Sequence, residues 1–462
     1  MSAQVLDRRR AGVLLHPTAL ISDSGAAVTG ALGAAARGFI DWLAQAGFSI
    51  WQVLPLGPPG GGGSPYWARS DFAGHPALID GRELPDIEAQ QADYDAFLSM
   101  SRHWLDDYVL FETLAERFRC PWWQWPPELR TRSRPALSEV ERERAHELER
   151  RRQEQWHFDW QWRALRRYAQ ERGVFMFGDL PIYVAPDSAT TWSQPAQFQL
   201  DAEGRPAVLA GVPPDYFSAD GQLWGNPLYD WQVAEQDGFA FWRARLAQQL
   251  RRFDLVRIDH FRGLAAFWAV PAGARTAREG TWQPAPGRAL FRALSADHPD
   301  LPLVAEDLGV ITADVEELRR DFGLPGMRVL QFGFDGASGN PHLPHNYLRD
   351  LVAYTGTHDN DTTLGWYRSL TPQETARVDF YLRSDAAHAL EAMLHATLAS
   401  VAQLAVLSVQ DLLQLGAEAR FNTPGTAEGN WNWRMPPGSL TAPLAAQYLA
   451  LNTAFGRSEV NA

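Results

Sequence analysis

Three acidic residues in the second half of the sequence each follow a short apolar run. They are Asp259 in FDLVRIDHFRG, Glu306 in LPLVAEDLG and Asp359 in LVAYTGTHDND. Each run has the length of a buried strand, and each acid falls where that strand should end. In a barrel of parallel strands this end carries the active-site loops, so we expect the three carboxylates to meet at one mouth. Carboxylates gathered among aromatic residues favour chemistry on a glycosidic bond.

Cleavage of an acetal requires a proton on the departing oxygen and electron density at the anomeric carbon. Two carboxyl groups supply both when one is protonated and the other is ionised. Arg257 and Asp259 are two residues apart on a predicted strand, so their side chains should face the same side. A guanidinium beside a carboxylate favours the charged form that a nucleophile requires. Asp259 is therefore the predicted nucleophile, although a purely structural salt bridge with Arg257 remains an equal alternative.

Glu306 is the predicted proton donor. Apolar residues precede it and Asp307 follows it. An apolar setting and a neighbouring negative charge both raise the pKa of a carboxyl group, so Glu306 should stay protonated near neutrality. The alternative for Asp307 is that it caps a helix that opens near Ile311.

The segment from His358 to Asp361 places four polar side chains in a row after an apolar strand. A histidine and a carboxylate here can hold sugar hydroxyls and favour an electron-poor, flattened sugar ring. The sequence has no HExxH spacing and no EF-hand-like loop, so we expect no metal. It also lacks a phosphate-binding loop, a dinucleotide fingerprint and a G-x-S-x-G nucleophile, and we expect no cofactor.

Composition excludes several other classes of function. The 462 residues carry a net charge of −13 and no basic stripe, which argues against nucleic acid as a partner. A single cysteine excludes an internal disulfide and fits a reducing compartment. The apolar stretch near the N-terminus is too short for a signal peptide, and no run is long enough to span a membrane. We therefore expect a soluble, cytoplasmic protein without a membrane partner, either a monomer or a homodimer.

Strand-like and helix-like segments alternate along most of the chain. The pattern is predicted to begin near Ala36, where AARGFIDWLAQAG suggests a helix and FSIWQVLPLGP a strand with a Gly/Pro-rich loop after it. Alternation at this spacing indicates a parallel sheet, and the number of units favours a closed (β/α)8 barrel of the α/β class. Further predicted strands are VFMFGDLPIYV, FDLVRIDHF, LPLVAEDLG, MRVLQFGF, LVAYTGTHDN and LAVLSVQDLL.

Two segments interrupt this alternation. Charged and aromatic residues recur at helical spacing over about 85–173, which predicts a mainly helical insertion packed on the barrel. A Gly/Pro/aromatic-rich stretch over about 206–231 is predicted to be a long active-site loop, since loops of that length in compact domains usually serve function. We expect residues 1–462 to form a single catalytic domain without a C-terminal β-sandwich.

The chain resembles the 4-α-glucanotransferase family, also called amylomaltases or disproportionating enzymes, of glycoside hydrolase family 77. The resemblance runs from about residue 10 to residue 435. The segments that carry it are GVLLHPTAL, WQVLPLGP, SPYWARSDFAGHP, GDLPIYVAPDS, GVPPDYFSADGQLWGNPLYDW, VRIDHFRG, AEDLGVIT, GLPGMRVLQFGFD, YTGTHDNDTTLGWY and FNTPGTAEGNWNWR.

The resemblance implies a (β/α)8 barrel that moves α-1,4-glucan segments between maltodextrins by a retaining double displacement. It implies Asp259 as the nucleophile that forms a covalent glucosyl intermediate, Glu306 as the acid and base, and Asp359 as the stabiliser of the transition state. The substrate-binding residues it implies are Tyr66, Asp179, Asp215, Trp224, Arg257, His260, Phe332, His358 and Asn422.

The chain departs from the family pattern in front of SPY, where Gly61 stands in place of an aromatic residue, and in AGHP, where His75 stands in place of asparagine. The first change bears on a remote glucan contact and the second on acceptor preference. Two alternatives stay open: a hydrolase of the same clan that releases sugars to water, and a glucan-binding protein without catalysis.

Overall fold

The computed structural model describes residues 5–20, 31–214, 219–426 and 428–458. Its main sheet contains eight strands that are mostly fully buried, which explains why their sequences read as continuous apolar runs. The strands of the structure, in chain order, are β1 (Arg10–Leu14), β2 (Ile50–Gln52), β3 (Phe175–Leu180), β4 (Val208–Val212), β5 (Gln222–Pro227), β6 (Leu255–Ile258), β7 (Ala266–Pro271), β8 (Thr281–Pro284), β9 (Leu303–Ala305), β10 (Gly326–Val329), β11 (Leu351–Tyr354) and β12 (Leu404–Ser408).

The eight-stranded sheet has the order β10-β11-β12-β1-β2-β3-β6-β9, and all of its pairs are parallel. Its two outer strands approach each other, because the N–H of Ala305 at the end of β9 donates to the carbonyl oxygen of Pro325 just before β10 at 2.8 Å. The sheet therefore curls round on itself with helices between its strands. This confirms the predicted (β/α)8 barrel.

The prediction that the barrel begins near Ala36 is wrong, because the first barrel strand is Arg10–Leu14. This strand pairs with β12 on one side and β2 on the other. Arg8 to Arg10 directly precede its apolar residues, so the strand lacks the turn signal that precedes the later strands. Gly12 allows the close pairing with β2, since a Cβ atom there would lie 2.7 Å from the Cβ atom of Ile50.

Helices cover the outside of the barrel and fill the segment between β2 and β3. In α5, Phe158, Trp162, Leu165 and Ala169 are buried and recur every three or four residues, as on the inner face of an amphipathic helix. The helices are α1 (Ala34–Gln45), α2 (Gln91–Phe118), α3 (Pro127–Arg130), α4 (Arg134–Glu143), α5 (Ala145–Gln170), α6 (Ala189–Ser193), α7 (Trp231–Gln236), α8 (Ala240–Arg252), α9 (Gly287–Asp297), α10 (Ala313–Asp321), α11 (Thr363–Ser369), α12 (Pro372–Leu382), α13 (Ala389–Ala399), α14 (Val409–Leu412) and α15 (Ala442–Ala454).

Helices α2 to α5 lie in the segment 85–173, for which the sequence predicts a helical insertion. We propose that they are an insertion into a single catalytic domain. After β12, the described residues 409–426 and 428–458 form helices and turns and contain no strand. None of the helices in the described ranges is long and apolar enough to cross a bilayer.

The segment 206–231, predicted as one long loop, contains two strands. β4 and β5 pair with β7 and β8 in a separate antiparallel sheet of order β5-β4-β7-β8. The sequences VLAGV and QLWGNP conceal these strands, since glycine and proline suggest turns and neither stretch alternates strictly between polar and apolar residues. β5 pairs with β4, and β4 pairs on its other side with β7, a partner more than 50 residues away along the chain.

Candidate active site

The side chains predicted to do chemistry lie at the carboxyl ends of neighbouring barrel strands. Asp259 directly follows β6, and Glu306 directly follows β9. The hydrogen-bond ladder continues through both positions: the N–H of Asp259 donates to the oxygen of Leu180, and the N–H of Glu306 to the oxygen of Ile258, each at 3.0 Å. These two carboxylates therefore stand side by side on adjacent strands at the barrel mouth.

Arg257 of β6 links two carboxylates. Its Nη1 lies 2.6 Å from Oδ2 of Asp179 in β3, and its Nη2 lies 2.7 Å from Oδ1 of Asp259. The hydroxyl of Tyr66 donates to the same Asp179 oxygen at 2.6 Å. Burial alone would lower the pKa of Arg257, but Asp179 and Asp259 raise it well above its usual range. The guanidinium therefore stays charged and aims Asp259 from a fixed, buried position.

Glu306 is held by backbone donors. The N–H of His260 donates to its Oε2 at 2.7 Å, and the N–H of Leu308 donates to its Oε1 at 3.2 Å. Burial is the largest cause that raises the pKa of this carboxyl group to about 8. Arg257 opposes the rise, while the negative charges of Asp259 and Asp307 add to it. Glu306 is thus mostly protonated at neutral pH, as its sequence neighbours suggest.

Asp307 does not cap the following helix, so that alternative is wrong. Helix α10 begins at Ala313, and its cap residue is Thr312. The Asp307 side chain instead accepts from the N–H of Met327 at 2.7 Å and lies 3.3 Å from Nη1 of Arg328. It therefore ties the end of β9 to β10, where the barrel closes, and it brings a negative charge next to Glu306.

Asp359 lies beyond β11, and several groups hold it. Nδ2 of Asn422 donates to Oδ1 of Asp359 at 2.6 Å, and Nε2 of His358 lies 3.3 Å from the same oxygen. Arg420 donates to the Asp359 carbonyl oxygen at 2.7 Å. The side chain of Asp359 is 46% exposed, so its carboxylate remains accessible from the barrel mouth.

Ring contacts join these groups into one site. The rings of Tyr66 and His358 are stacked with centroids 5.1 Å apart at 15°, which connects the Arg257 pair to the Asp359 group. On the other side, Trp224 of β5 meets His260 edge to face at 4.7 Å. Burial lowers the pKa of His260 to about 4, so its ring is neutral. The antiparallel sheet thus brings a tryptophan to the wall beside Glu306.

The structure describes one of the two remaining predicted binding residues. Phe332 lies in the turn Leu330–Gly333 after β10, and its ring meets His342 edge to face at 5.6 Å. Asp215 lies outside the described residues. Among the residues that the structure describes, no group of three or more histidine, cysteine, aspartate or glutamate side chains is arranged to hold a metal ion.

Arg420 and Trp431 belong to the site but were missed by the sequence analysis. Trp431 lies 6.1 Å from the ring of Tyr66 and 6.1 Å from that of His358. Both residues lie in or beside FNTPGTAEGNWNWR, a stretch that the resemblance had already marked. Neither follows a strand, so the signal that found the carboxylates did not apply to them.

Comparisons with known proteins agree over nearly the whole chain. The model of glycoside hydrolase family 77, described as 4-alpha-glucanotransferase, matches residues 15–91 and 82–441. The 4-alpha-glucanotransferase of Thermus thermophilus is 46% identical over 97% of this chain and 99% of that protein. The protein of the same name from Synechocystis sp. is 42% identical over 98% of this chain and 99% of its own. The solved structure of amylomaltase from Streptococcus agalactiae in complex with acarbose matches with a TM-score of 0.92 and 33% identity, over 98% of this chain and 100% of that one.

Proposed function

The chain belongs to glycoside hydrolase family 77, the 4-alpha-glucanotransferases, and on this premise we propose that it transfers segments of α-1,4-glucan between maltodextrins by a retaining double displacement. The observation that carries the proposal is the pairing of Glu306, whose pKa is raised to about 8, with an Asp259 carboxylate bound to a buried guanidinium. One carboxyl group is thus prepared to give a proton and its neighbour to attack.

In the first step, an oxygen of Asp259 attacks the anomeric carbon of the donor sugar. The glycosidic bond breaks, and Glu306 gives its proton to the departing oxygen, so the reducing-end fragment leaves as an alcohol. The donor segment remains bound to Asp259 through an ester bond. This geometry requires the two carboxyl groups to be about 5–5.5 Å apart, as in other retaining enzymes.

In the second step, Glu306 acts as the base. Its carboxylate takes the proton of a hydroxyl group at the non-reducing end of an acceptor glucan, and that oxygen attacks the anomeric carbon. The ester bond to Asp259 breaks, which restores both carboxyl groups and leaves the configuration of the sugar unchanged. The reaction needs no metal, cofactor or external oxidant.

The remaining residues hold the sugar during these steps. We assign Asp359, with His358 and Asn422 beside it, to the hydroxyl groups of the reacting ring, where hydrogen bonds strengthen as the ring flattens. Tyr66 offers a ring on which the donor sugar can stack. The predicted binding residues Asp179 and Arg257 align Asp259, whereas His260, Trp224, Asp215 and Phe332 are assigned to the walls of the glucan groove.

Transfer requires that the covalent intermediate meets a sugar before it meets water. The segment 206–231 carries Trp224, whose ring contacts His260 next to Glu306. We assign this segment to the acceptor side, where it covers the site and displaces water once a glucan is bound. A hydrolase of the same clan would need no such preference.

Incubation with maltotriose distinguishes the two activities. Transfer produces a ladder of longer oligosaccharides together with glucose and maltose, whereas hydrolysis produces only shorter sugars. A result with no longer product would contradict the proposed transfer. Absence of any turnover would instead support a glucan-binding protein without catalysis.

Two substitutions test the assigned roles. Asp259→Asn should abolish turnover of every donor, since no nucleophile remains. Glu306→Gln should lose about 10³-fold or more with maltotriose but keep the first step with α-glucosyl fluoride, because fluoride leaves without a proton. That step should appear as a rapid burst of about one equivalent of fluoride per enzyme, followed by slow turnover because the second step lacks its base. Absence of the burst in Glu306→Gln would contradict its assignment as the acid.

A further inference from the structure

Asp411 is a buried carboxylate that none of the assigned roles uses. It lies in α14, just after β12, and is 1% exposed. Its Oδ2 accepts hydrogen bonds from the hydroxyl groups of Thr355 and Thr363, each at 2.7 Å. Its Oδ1 accepts the backbone N–H of Thr363, also at 2.7 Å. Burial raises the pKa of this carboxyl group, and its hydrogen bonds to Thr363, Thr355 and Ser408 oppose the rise. Three of its hydrogen bonds therefore come from one short stretch of the chain.

Those donors lie at the two ends of the segment that carries Asp359. Thr355 is the first residue after β11, and Thr363 is the first residue of α11. The residues from 355 to 363, here called the Asp359 loop, include both His358 and Asp359. One carboxylate thus attaches the start and the end of this loop to α14, the short helix that follows β12.

Other contacts also hold the Asp359 loop. The side-chain oxygen of Asn360 accepts from the N–H and the hydroxyl of Thr357, each at 2.9 Å. The Gln331 side chain donates to the carbonyl oxygen of Asp361 at 3.1 Å, and its backbone N–H donates to that of Thr355 at 3.2 Å. The distinguishing feature of Asp411 is that one carboxylate binds both the first and the last residue of the loop.

We propose that Asp411 is a positioning residue that fixes Asp359 and His358 against the sugar ring, through its bonds to Thr355 and Thr363. The inference rests on the proposed function, in which Asp359 acts on the reacting sugar. A buried carboxylate is costly unless all its hydrogen bonds are made, so the three bonds resist displacement together. Catalytic groups must be held to within about 0.5 Å, and a shift of about 1 Å is worth about 10²-fold in rate.

Asp411→Asn is the direct test. An amide presents one acceptor and one donor side, so it cannot accept from both the hydroxyl groups and the N–H of Thr363. We expect kcat for maltotriose to fall about 10–100-fold while KM changes less than about threefold, because Asp359 acts mainly in the transition state. Thr355→Val removes a single hydroxyl with little change of shape and should lower kcat severalfold. This variant tests the same positioning role if Asp411→Asn does not fold.

Asp254→Asn is the matched control. Asp254 is 8% exposed and lies at the opposite end of the barrel, where it accepts from the N–H of Met176 at 2.8 Å and from Arg166 at 2.6 Å. This variant should lose stability, as a change in melting temperature, and keep kcat within about twofold. A loss of kcat in proportion to the loss of stability for both variants would overturn the positioning role.

A double-mutant cycle separates positioning from general structure. If Asp411 acts through Asp359, adding Asp411→Asn to Asp359→Asn should lower the residual turnover of α-glucosyl fluoride by less than about threefold. A further loss as large as the one that Asp411→Asn causes in the wild-type background would overturn the proposal. The maltotriose products of the wild type test the proposed transfer separately, since the rate ratios of the cycle hold for hydrolysis as well.

Discussion

The two ends of the barrel use buried arginines in different ways. At the end where the strands begin, the fully buried Arg457 donates to four backbone carbonyl oxygens at 2.6–3.0 Å, those of Arg10, Leu398, Ser400 and Ala402. At the mouth, Arg257 donates instead to the carboxylates of Asp179 and Asp259. The first arginine is bound by groups that cannot titrate, and the second by groups that can react.

The pKa of each arginine follows from the groups to which it is bound. Burial and, to a smaller extent, the nearby charge of Arg9 lower the pKa of Arg457 to about 9, since carbonyl dipoles only partly replace the lost water. At the mouth the carboxylates outweigh burial, and the pKa of Arg257 rises. The end of the barrel where the strands begin, here called the base, thus contributes to stability, whereas the mouth holds paired charges that a ligand can reach.

A single strand shows the same contrast. Asp254 directly precedes β6 and is 8% exposed, with Arg166 and the N–H of Met176 as its partners. Asp259 directly follows β6, and its side chain is 28% exposed with one oxygen bound to Arg257. Two aspartates at the ends of the same strand therefore differ in access to solvent. An acid before a barrel strand serves the fold, and an acid after it is available to a ligand.

The largest effect is expected from Arg257→Leu. Its loss leaves the carboxyl groups of Asp179 and Asp259 facing each other without a cation, so one of them should take up a proton and Asp259 should lose its alignment. We expect kcat with maltotriose to fall about 10³-fold or more. Arg257→Lys keeps the positive charge but loses the planar guanidinium, so its kcat should lie between those of the wild type and the leucine variant. A leucine variant within tenfold of the wild type would show that the pair is only structural.

Arg457→Met should lower the stability of the fold at the base of the barrel and leave the geometry of the mouth unchanged. The thioether cannot donate to the four carbonyl oxygens, so we expect the free energy of unfolding in urea to fall by about 3–5 kcal/mol. At 25 °C the folded variant should keep kcat within about twofold. A large change in kcat without a change in the unfolding midpoint would contradict the separation of the two ends.

Asp307→Asn should change the pH dependence more than the maximal rate. The negative charge of Asp307 helps to raise the pKa of Glu306, so its removal should lower that pKa. In the proposed mechanism Glu306 must be protonated to act as the acid, so the alkaline fall of kcat/KM should begin at a lower pH in this variant. The pH profile of kcat/KM is the measurement, and Asp254→Asn is the control that should leave it unchanged. A profile identical to that of the wild type would show that the charge of Asp307 does not affect the pKa of Glu306.

The smallest expected effect is a gain in stability from Glu306→Gln. The folded-state pKa of Glu306 is about 8, above the usual value of 4.5, so the wild type loses stability as pH rises from about 4.5 to 8. Glutamine does not titrate, and the variant should not show that loss. We expect its melting temperature to equal that of the wild type near pH 5 and to exceed it by about 1–3 °C at pH 8. An equal difference at both values would mean that Glu306 is not protonated in the fold.

Sequence patterns predicted strands where apolar runs were long and bounded by turns, as in FDLVRIDHF and LVAYTGTHDN. They missed β1, because its short apolar run directly follows Arg8 to Arg10 with no turn signal in front of it. They also missed β4 and β5, because β4 pairs with β7 far along the chain and β5 pairs with β4. Asp259 and Glu306 could be predicted as reacting groups because each is a carboxylic acid placed directly after a strand. Arg420, Trp431 and Asp411 were not assigned, since their importance comes from what they touch.

The sequence by itself determined the barrel and the identity of its acidic residues, because hydrophobic periodicity and strand-end position are local properties. Only the tertiary structure decided which groups from separate strands are close enough to form ion pairs and hydrogen bonds. Arg257 meets Asp179 across β3 and β6, and Asp307 meets Met327 where the barrel closes. The pKa of Glu306 depends on burial and on charges that come from separate strands, so no stretch of sequence contains it.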